Sequence, residues 1–172
     1  MYGRAIEIDG AYALAYTGIA DCCSFLYQYA DSSEANLKGA EEASRKALDL
    51  DPDLAEAHAS RGLALSLGGT FEEAQAEFEE ALRRDPRLYE AYYFSGRACL
   101  SHGRYERAAE LVERACEVRP ESYEAPSVLE QALRGLGASQ EKIEKASRRT
   151  VELVERHVEL NPDDARALYL GG

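Results

Sequence analysis

Apolar residues recur along this chain at i, i+3, i+4 and i+7, the period of a helix with one buried face. In residues 54–68, Ala57, His58, Gly62 and Leu65 share a face, and in residues 71–82 Phe71, Ala74, Phe78, Ala81 and Leu82 form a second stripe. Gly68-Gly69 separates the two stripes, and Pro52 and Pro86, which cannot continue a helix, bound them. No segment alternates apolar and polar residues between hairpin turns. The pattern predicts antiparallel helix pairs and no sheet: an all-α chain.

The pairs are punctuated at a fixed interval. Asp51-Pro52, Asp85-Pro86, Arg119-Pro120 and Asn161-Pro162 recur, with Asp9-Gly10 as a degenerate first member, at spacings of 42, 34, 34 and 42 residues. A period of 34 predicts a solenoid of stacked helix pairs, each burying its apolar face against the next.

These residues carry a resemblance to the tetratricopeptide repeat. That 34-residue unit places small residues at positions 8, 20 and 27, large ones at 4, 7, 11, 17 and 24, and proline at 32. One unit here matches with Gly62, Leu65, Phe71, Ala74, Phe78, Ala81 and Pro86; the next matches with Tyr92, Gly96, Tyr105, Ala108, Ala115 and Pro120. The resemblance implies a right-handed solenoid of antiparallel helix pairs over residues 1–172. Residues 1–9 would end a preceding repeat, 12–52, 53–86, 87–120 and 121–162 would be repeats, and 163–172 would start a further one.

The flanking units depart from the pattern. Residues 12–52 keep Tyr16, Ile19 and Ala20 but carry extra length around Ser24–Tyr29, after which Asp31-Ser32-Ser33-Glu34 resembles a capping box. In 121–162 no Gly or Pro falls between Ser139 and Glu159, so the extra length predicts a second helix longer by about two turns. Glu130 stands where a small residue is expected. Tyr2, Ala5 and Ile8 match the end of a second helix, and Ala165–Leu170 the start of a first one. The resemblance extends to bacterial signalling proteins that carry such repeats. Solenoids need polar end caps and neither of these half-repeats supplies one, so the chain is expected to be a piece of a longer protein. Its solenoid ends are expected to form a weak homodimer through Leu168 and Leu170.

Composition narrows the functions. Among 172 residues, 32 acidic side chains face 20 basic ones, a net charge of −12 spread as −4, −5 and −3 over residues 1–50, 51–102 and 103–172. Such a chain repels phosphate backbones and anionic surfaces, so neither nucleic acid nor membrane is expected as a partner. Met1 leads directly into the amphipathic Arg4-Ala5-Ile6-Glu7-Ile8, which is not an export signal, and the expected compartment is the cytoplasm. Cys22, Cys23, Cys99 and Cys116 form no CxxC pair and lie away from His58, His102 and His157, so they read as buried reduced thiols, with no metal and no cofactor. No phosphate loop, zinc-protease or nucleophile-elbow motif occurs. Gly68-Gly69 and Gly135-Leu136-Gly137 read as turns, the glutamate pairs as solvated faces and His58 as a packed side chain. No catalytic residue is assigned, and an enzyme is not expected.

The resemblance implies a concave groove lined by positions 2, 5, 9 and 12 of each first helix. These are Leu14, Thr17, Asp21 and Ser24; Glu56, Ala59, Leu63 and Ser66; Glu90, Tyr93, Arg97 and Leu100; and Glu124, Ser127, Gln131 and Arg134. No unit has the Lys and Asn that clamp a peptide carboxylate in the chaperone-binding subfamily. An exposed Tyr93–Arg97 pair beside Leu63 and Leu100, with Glu90, Gln131 and Arg134, is the composition of a binding hot spot. The expected function is a protein-interaction scaffold holding a peptide or helix of a partner in that groove. The alternative is a structural spacer or self-association segment of a larger signalling protein.

Overall fold

The computed structural model describes residues 2–164 and 167–169. Its helices are α1 (Tyr2–Ile8), α2 (Ala13–Tyr29), α3 (Glu34–Leu50), α4 (Ala55–Leu67), α5 (Phe71–Arg84), α6 (Tyr89–Ser101), α7 (Tyr105–Val118), α8 (Glu124–Gly135) and α9 (Gln140–Leu160). No strand occurs among the described residues. The expected helix start at Ala165–Leu170 lies partly outside the described residues; within it, Ala167–Tyr169 are helical.

Local chemistry sets the helix ends. Asp51, Asp85, Arg119 and Asn161 terminate α3, α5, α7 and α9, each donating its N–H to the carbonyl four residues back at 2.9–3.0 Å. The following proline pushes these residues out of the helical region, and their φ values lie between −129° and −143°. Aspartate adds a second role: Asp9, Asp51 and Asp85 accept the N–H two residues on, at 2.9, 3.1 and 2.8 Å, closing an Asx turn around the punctuation residue.

The turn inside each later pair is built on glycine. Gly69, Gly103 and Gly137 have φ of +87°, +69° and +65°. Thr70, Arg104 and Ala138, next in the chain, donate to Leu65, Cys99 and Leu133 at 2.9–3.0 Å, the long bond of a Schellman motif. The turn at His102-Gly103 was not singled out from sequence, although its 34-residue spacing to Gly69 and Gly137 marks it.

The added length of the first pair is shared between its helices. Helices α2 and α3 run 17 residues each, against 13 and 14 for α4 and α5. The capping residue of α3 is Ser33, whose Oγ accepts the Asn36 N–H at 3.4 Å, while Asn36 Nδ2 reaches back to the Asp31 carbonyl at 2.8 Å. The box expected at Asp31–Glu34 is therefore shifted two residues, because Asn36 rather than Glu34 makes the return bond. In the last pair the extra length lengthens the second helix, 21 residues for α9 against 14 for α7.

The chain divides into two compact units, Met1–Ser95 and Gly96–Gly172. In the first, α1 packs on α2, α2 on α3 and α4, α3 on α4, and α4 on α5. In the second, α7 packs on α8 and α8 on α9. Small residues make these approaches close. A Cβ on Gly62 would lie 2.6 Å from the Phe78 ring, and one on Gly96 2.5 Å from a Val112 methyl. The Tyr2 ring covers Gly18 and the Tyr105 ring covers Gly135 in the same way. Glu130, where a small residue was expected, pairs with Arg134 instead.

A replacement of glycine by alanine inside a helix ordinarily gains about 1 kcal/mol. At Gly62 and Gly96 the added methyl must displace a buried ring or methyl, and overpacking costs about 1–3 kcal/mol. Gly62→Ala and Gly96→Ala should therefore lower the urea midpoint, while Glu79→Ala on an exposed face should stay within about 0.5 kcal/mol. Stabilisation by either glycine replacement would contradict the close packing described.

Candidate functional site

In the first unit the first-helix face is built by α2, α4 and the start of α6. Thr17 is buried and donates to the Leu14 carbonyl at 2.7 Å, and Ser24 is fully buried. Between them Asp21 accepts the Ser60 hydroxyl at 2.7 Å, tying α2 to α4. Burial pushes the Asp21 carboxyl up to about 6, against the lowering pull of the Ser60 hydroxyl, and the nearby Glu90 charge adds to the rise. Glu56 is exposed and Glu90 half-buried. The accessible charge among these positions of the first unit is acidic.

The expected exposed tyrosine is not exposed. Tyr93 retains only 3% of its accessible surface and Leu63 only 4%. Tyr93 stacks on Tyr89 at 5.5 Å and leans on Phe94 at 5.8 Å; Phe94 meets Phe25 edge-on at 6.2 Å, and Phe25 stacks on Tyr29 at 6.3 Å. The additional turn of α2 supplies Tyr29, and Phe25 stands just before it, at the position where α4 ends. Phe25 and Tyr29 continue the aromatic ladder that starts at Tyr89 and Tyr93. Tyr93 and Leu63 are thus support residues of this face, and Tyr29, 55% exposed, is the open end of the ladder.

In the second unit Arg97 and Leu100 on α6 are half-buried. Gln131 is exposed and donates to the Ser127 carbonyl at 3.2 Å. Arg134 donates from Nε and a terminal nitrogen to one oxygen of Glu130, at 3.0 and 2.7 Å. Glu90 and Tyr93 belong to the first unit, and Arg97, Leu100, Gln131 and Arg134 to the second.

The thiols differ from one another. Cys99 is buried, Cys116 and Cys23 half-buried, and Cys22 exposed, which corrects the expectation of four buried thiols. The adjacent residues Cys22 and Cys23 point about 100° apart on α2, so only one can face α3. Burial pushes the Cys116 thiol up to about 11 despite the lowering effect of Arg149, and burial also raises Cys23. His58 is held at both ring nitrogens, Nδ1 2.6 Å from Glu77 and Nε2 3.0 Å from the Pro52 carbonyl. Among the described residues no group of three or more His, Cys, Asp or Glu side chains converges as a metal site.

Residues 64–123 match the family model described as tetratricopeptide repeat. No curated protein matches the chain. Solved structures share the fold. The crystal structure of MamA aligns with a TM-score of 0.67 at 20% identity, over 92% of this chain and 87% of that one. YrrB, described as a TPR protein with an unusual peptide-binding site, aligns with 0.56 at 23% identity, over 99% and 80%. TTC0263, a thermophilic TPR protein of Thermus thermophilus, aligns with 0.70 at 15% identity, over 98% and 84%.

Two outcomes follow from this geometry. The raised Asp21 carboxyl favours the folded state below pH 3.8, and that contribution is lost as pH climbs to about 6. Above that, holding the ion in place costs up to about 3 kcal/mol. Asp21→Asn keeps an acceptor for Ser60, so its stability relative to wild type should rise between pH 4 and pH 8, read from urea midpoints. A constant difference would show that Asp21 is solvated. Thiol-reactive dye at neutral pH should label Cys22 rapidly and Cys99 only in denaturant, as resolved by peptide mass spectrometry of single-cysteine variants.

Proposed function

We propose, from the tetratricopeptide-repeat match of residues 64–123 and the shared fold, that this chain is a protein-interaction module whose first-helix face takes a cationic peptide or helix of a partner. The family fold is an interaction fold, and the chain acts by binding rather than by catalysis. The observation that carries the charge of the partner is the acidic set of the first unit: Glu56 exposed, Glu90 half-buried and Asp21 held beside Ser60. Lysine or arginine in the partner would be steered to these carboxylates. Tyr29 and Leu26, 55% and 47% exposed, offer apolar contact on the same helix as Asp21. On the second unit, taken by itself, Arg97, Leu100, Gln131 and Arg134 are the candidate contacts, and Arg134 would exchange Glu130 for an acidic group of a partner. The unusual peptide-binding site of YrrB, a protein of the same fold, supports a peptide as occupant. None of the described helices is long and apolar enough to cross a membrane. The free thiols favour a reducing compartment, and the cytoplasm is the one this reading takes.

The spacer or self-association reading is favoured by one observation, the covering of Tyr93 and Leu63 by the chain's own side chains. Synthetic amphipathic peptides matched in apolar content and differing only in charge separate the two. The basic peptide should bind best, more weakly as salt rises, and more tightly at pH 7.5 than at pH 5 as Asp21 ionises. The Glu56→Lys/Glu90→Lys variant should bind it about tenfold more weakly with unchanged helicity, the size expected for loss of a charge-assisted contact. Equal binding of the acidic peptide would overturn the assignment, and no binding of any peptide would favour the spacer.

A further inference from the structure

Three helix pairs share a bond that the fourth lacks. The residue at the fourth position of each first helix reaches back six residues to the punctuation carbonyl. Tyr16 donates to Gly10 at 3.4 Å, His58 Nε2 lies 3.0 Å from Pro52 and Tyr92 donates to Pro86 at 3.2 Å. In the last pair this position is Pro126, which has neither ring volume of that size nor a donor. The Pro120 carbonyl is bonded instead by Arg149 of α9, at 2.7 Å. Beside Pro126 a cleft of about 340 Å³ opens, lined by residues of α7, α8 and α9.

Its lining is segregated by chemistry. Pro126, Leu129, Leu133 and Ala146 make an apolar floor, and Lys142, Lys145 and Arg149 stand on one side. These three cations sit at i, i+3 and i+7 of α9, on one helix face. Lys142 and Lys145 make no ion pair among the described residues. Glu113 is the one carboxylate of the lining, and the Cys116 thiol stays protonated at neutral pH. A chain of net charge −12 thus carries a cleft whose lining is net positive. On α8 the floor residues Pro126, Leu129 and Leu133 are set about 200° from Glu124, Ser127 and Gln131, so this cleft is separate from the first-helix face.

We propose that this cleft is a binding site for a small single-chain amphiphile with an anionic head group, carboxylate or phosphate. The volume falls in the range of about 300–1,000 Å³ usual for small-molecule sites. The apolar floor takes the tail, Lys142 and Lys145 take the head, and Arg149, fixed on the Pro120 carbonyl, places its remaining donors beside them. A peptide would bring backbone polar groups onto a floor that offers them few partners.

The test uses calorimetric titration of the full chain with decanoate and with decyl phosphate, below their micelle concentrations. Acetate, inorganic phosphate and decyltrimethylammonium serve as comparisons. One decyl anion should bind per chain, and the comparisons should bind at least about tenfold more weakly, as loss of either the tail or a charge-assisted bond implies. Tighter binding of decyl phosphate assigns a phosphate head, and tighter binding of decanoate a carboxylate. Lys142→Glu/Lys145→Glu, both exposed, should weaken binding about tenfold or more. Glu113→Gln should strengthen it, and Ala146→Phe should abolish it by filling the cleft, with helicity confirming that each variant folds. Equal binding of the cationic amphiphile, binding untouched by the lysine and Ala146 variants, or no binding of either anion would each overturn the proposal.

Discussion

The close approach of paired helices at glycine is the constraint on which this architecture rests. With no Cβ at Gly62 or Gly96, the Phe78 ring and the Val112 methyl seat against the facing backbone. The ridge of the second helix then enters the groove of the first. The same device operates with other partners at Gly18 under Tyr2 and at Gly135 under Tyr105. Where it is absent, at Glu130, the chain substitutes a charged pair with Arg134, and a cleft lined by Pro126 and Ala146 opens in the same helix pair. Small residues in a solenoid are thus as specific as large ones.

Helix ends were legible in the sequence because their chemistry is local. A proline and the residue before it, an aspartate able to close its own turn, and a glycine able to adopt positive φ act within five residues, and all three recur at 34-residue spacing. The shift of the capping residue from Asp31 to Ser33 shows the limit of that logic. Several polar residues stand in a row there, and the cap falls on Ser33, which accepts the Asn36 N–H while the Asn36 side chain returns to Asp31. Lengths of whole helices were likewise readable in α9, where no breaker interrupts the periodic pattern.

Exposure on the first-helix face was not legible in the same way. Position in a repeat specifies the direction of Tyr93, but not what stands in front of it. Tyr93 packs against Tyr89 and Phe94, and Phe94 in turn meets Phe25, from a helix more than sixty residues earlier in the chain. The expected exposure of Tyr93 beside Arg97 failed for that reason, whereas Glu56 on its own helix is exposed. The cleft under α9 has a similar origin. It comes from the coincidence of Pro126, Ala146 and the lysines of α9, and no single one of these residues signals it.

Among the described residues, the pairings within each unit join elements one or two apart in the chain: α2 with α3 and α4, α4 with α5, α7 with α8, α8 with α9. Contacts between near neighbours in sequence require little loop closure before they reward the chain, and such topologies fold quickly. Each pair also carries its own terminators, so none waits on a distant strand or a late-arriving segment for its boundaries. During synthesis, a pair can close as soon as its second helix has left the ribosome, and the next then adds to a surface already formed. Folding of this chain would therefore keep pace with its own translation, with apolar faces uncovered only for the time needed to make one more helix.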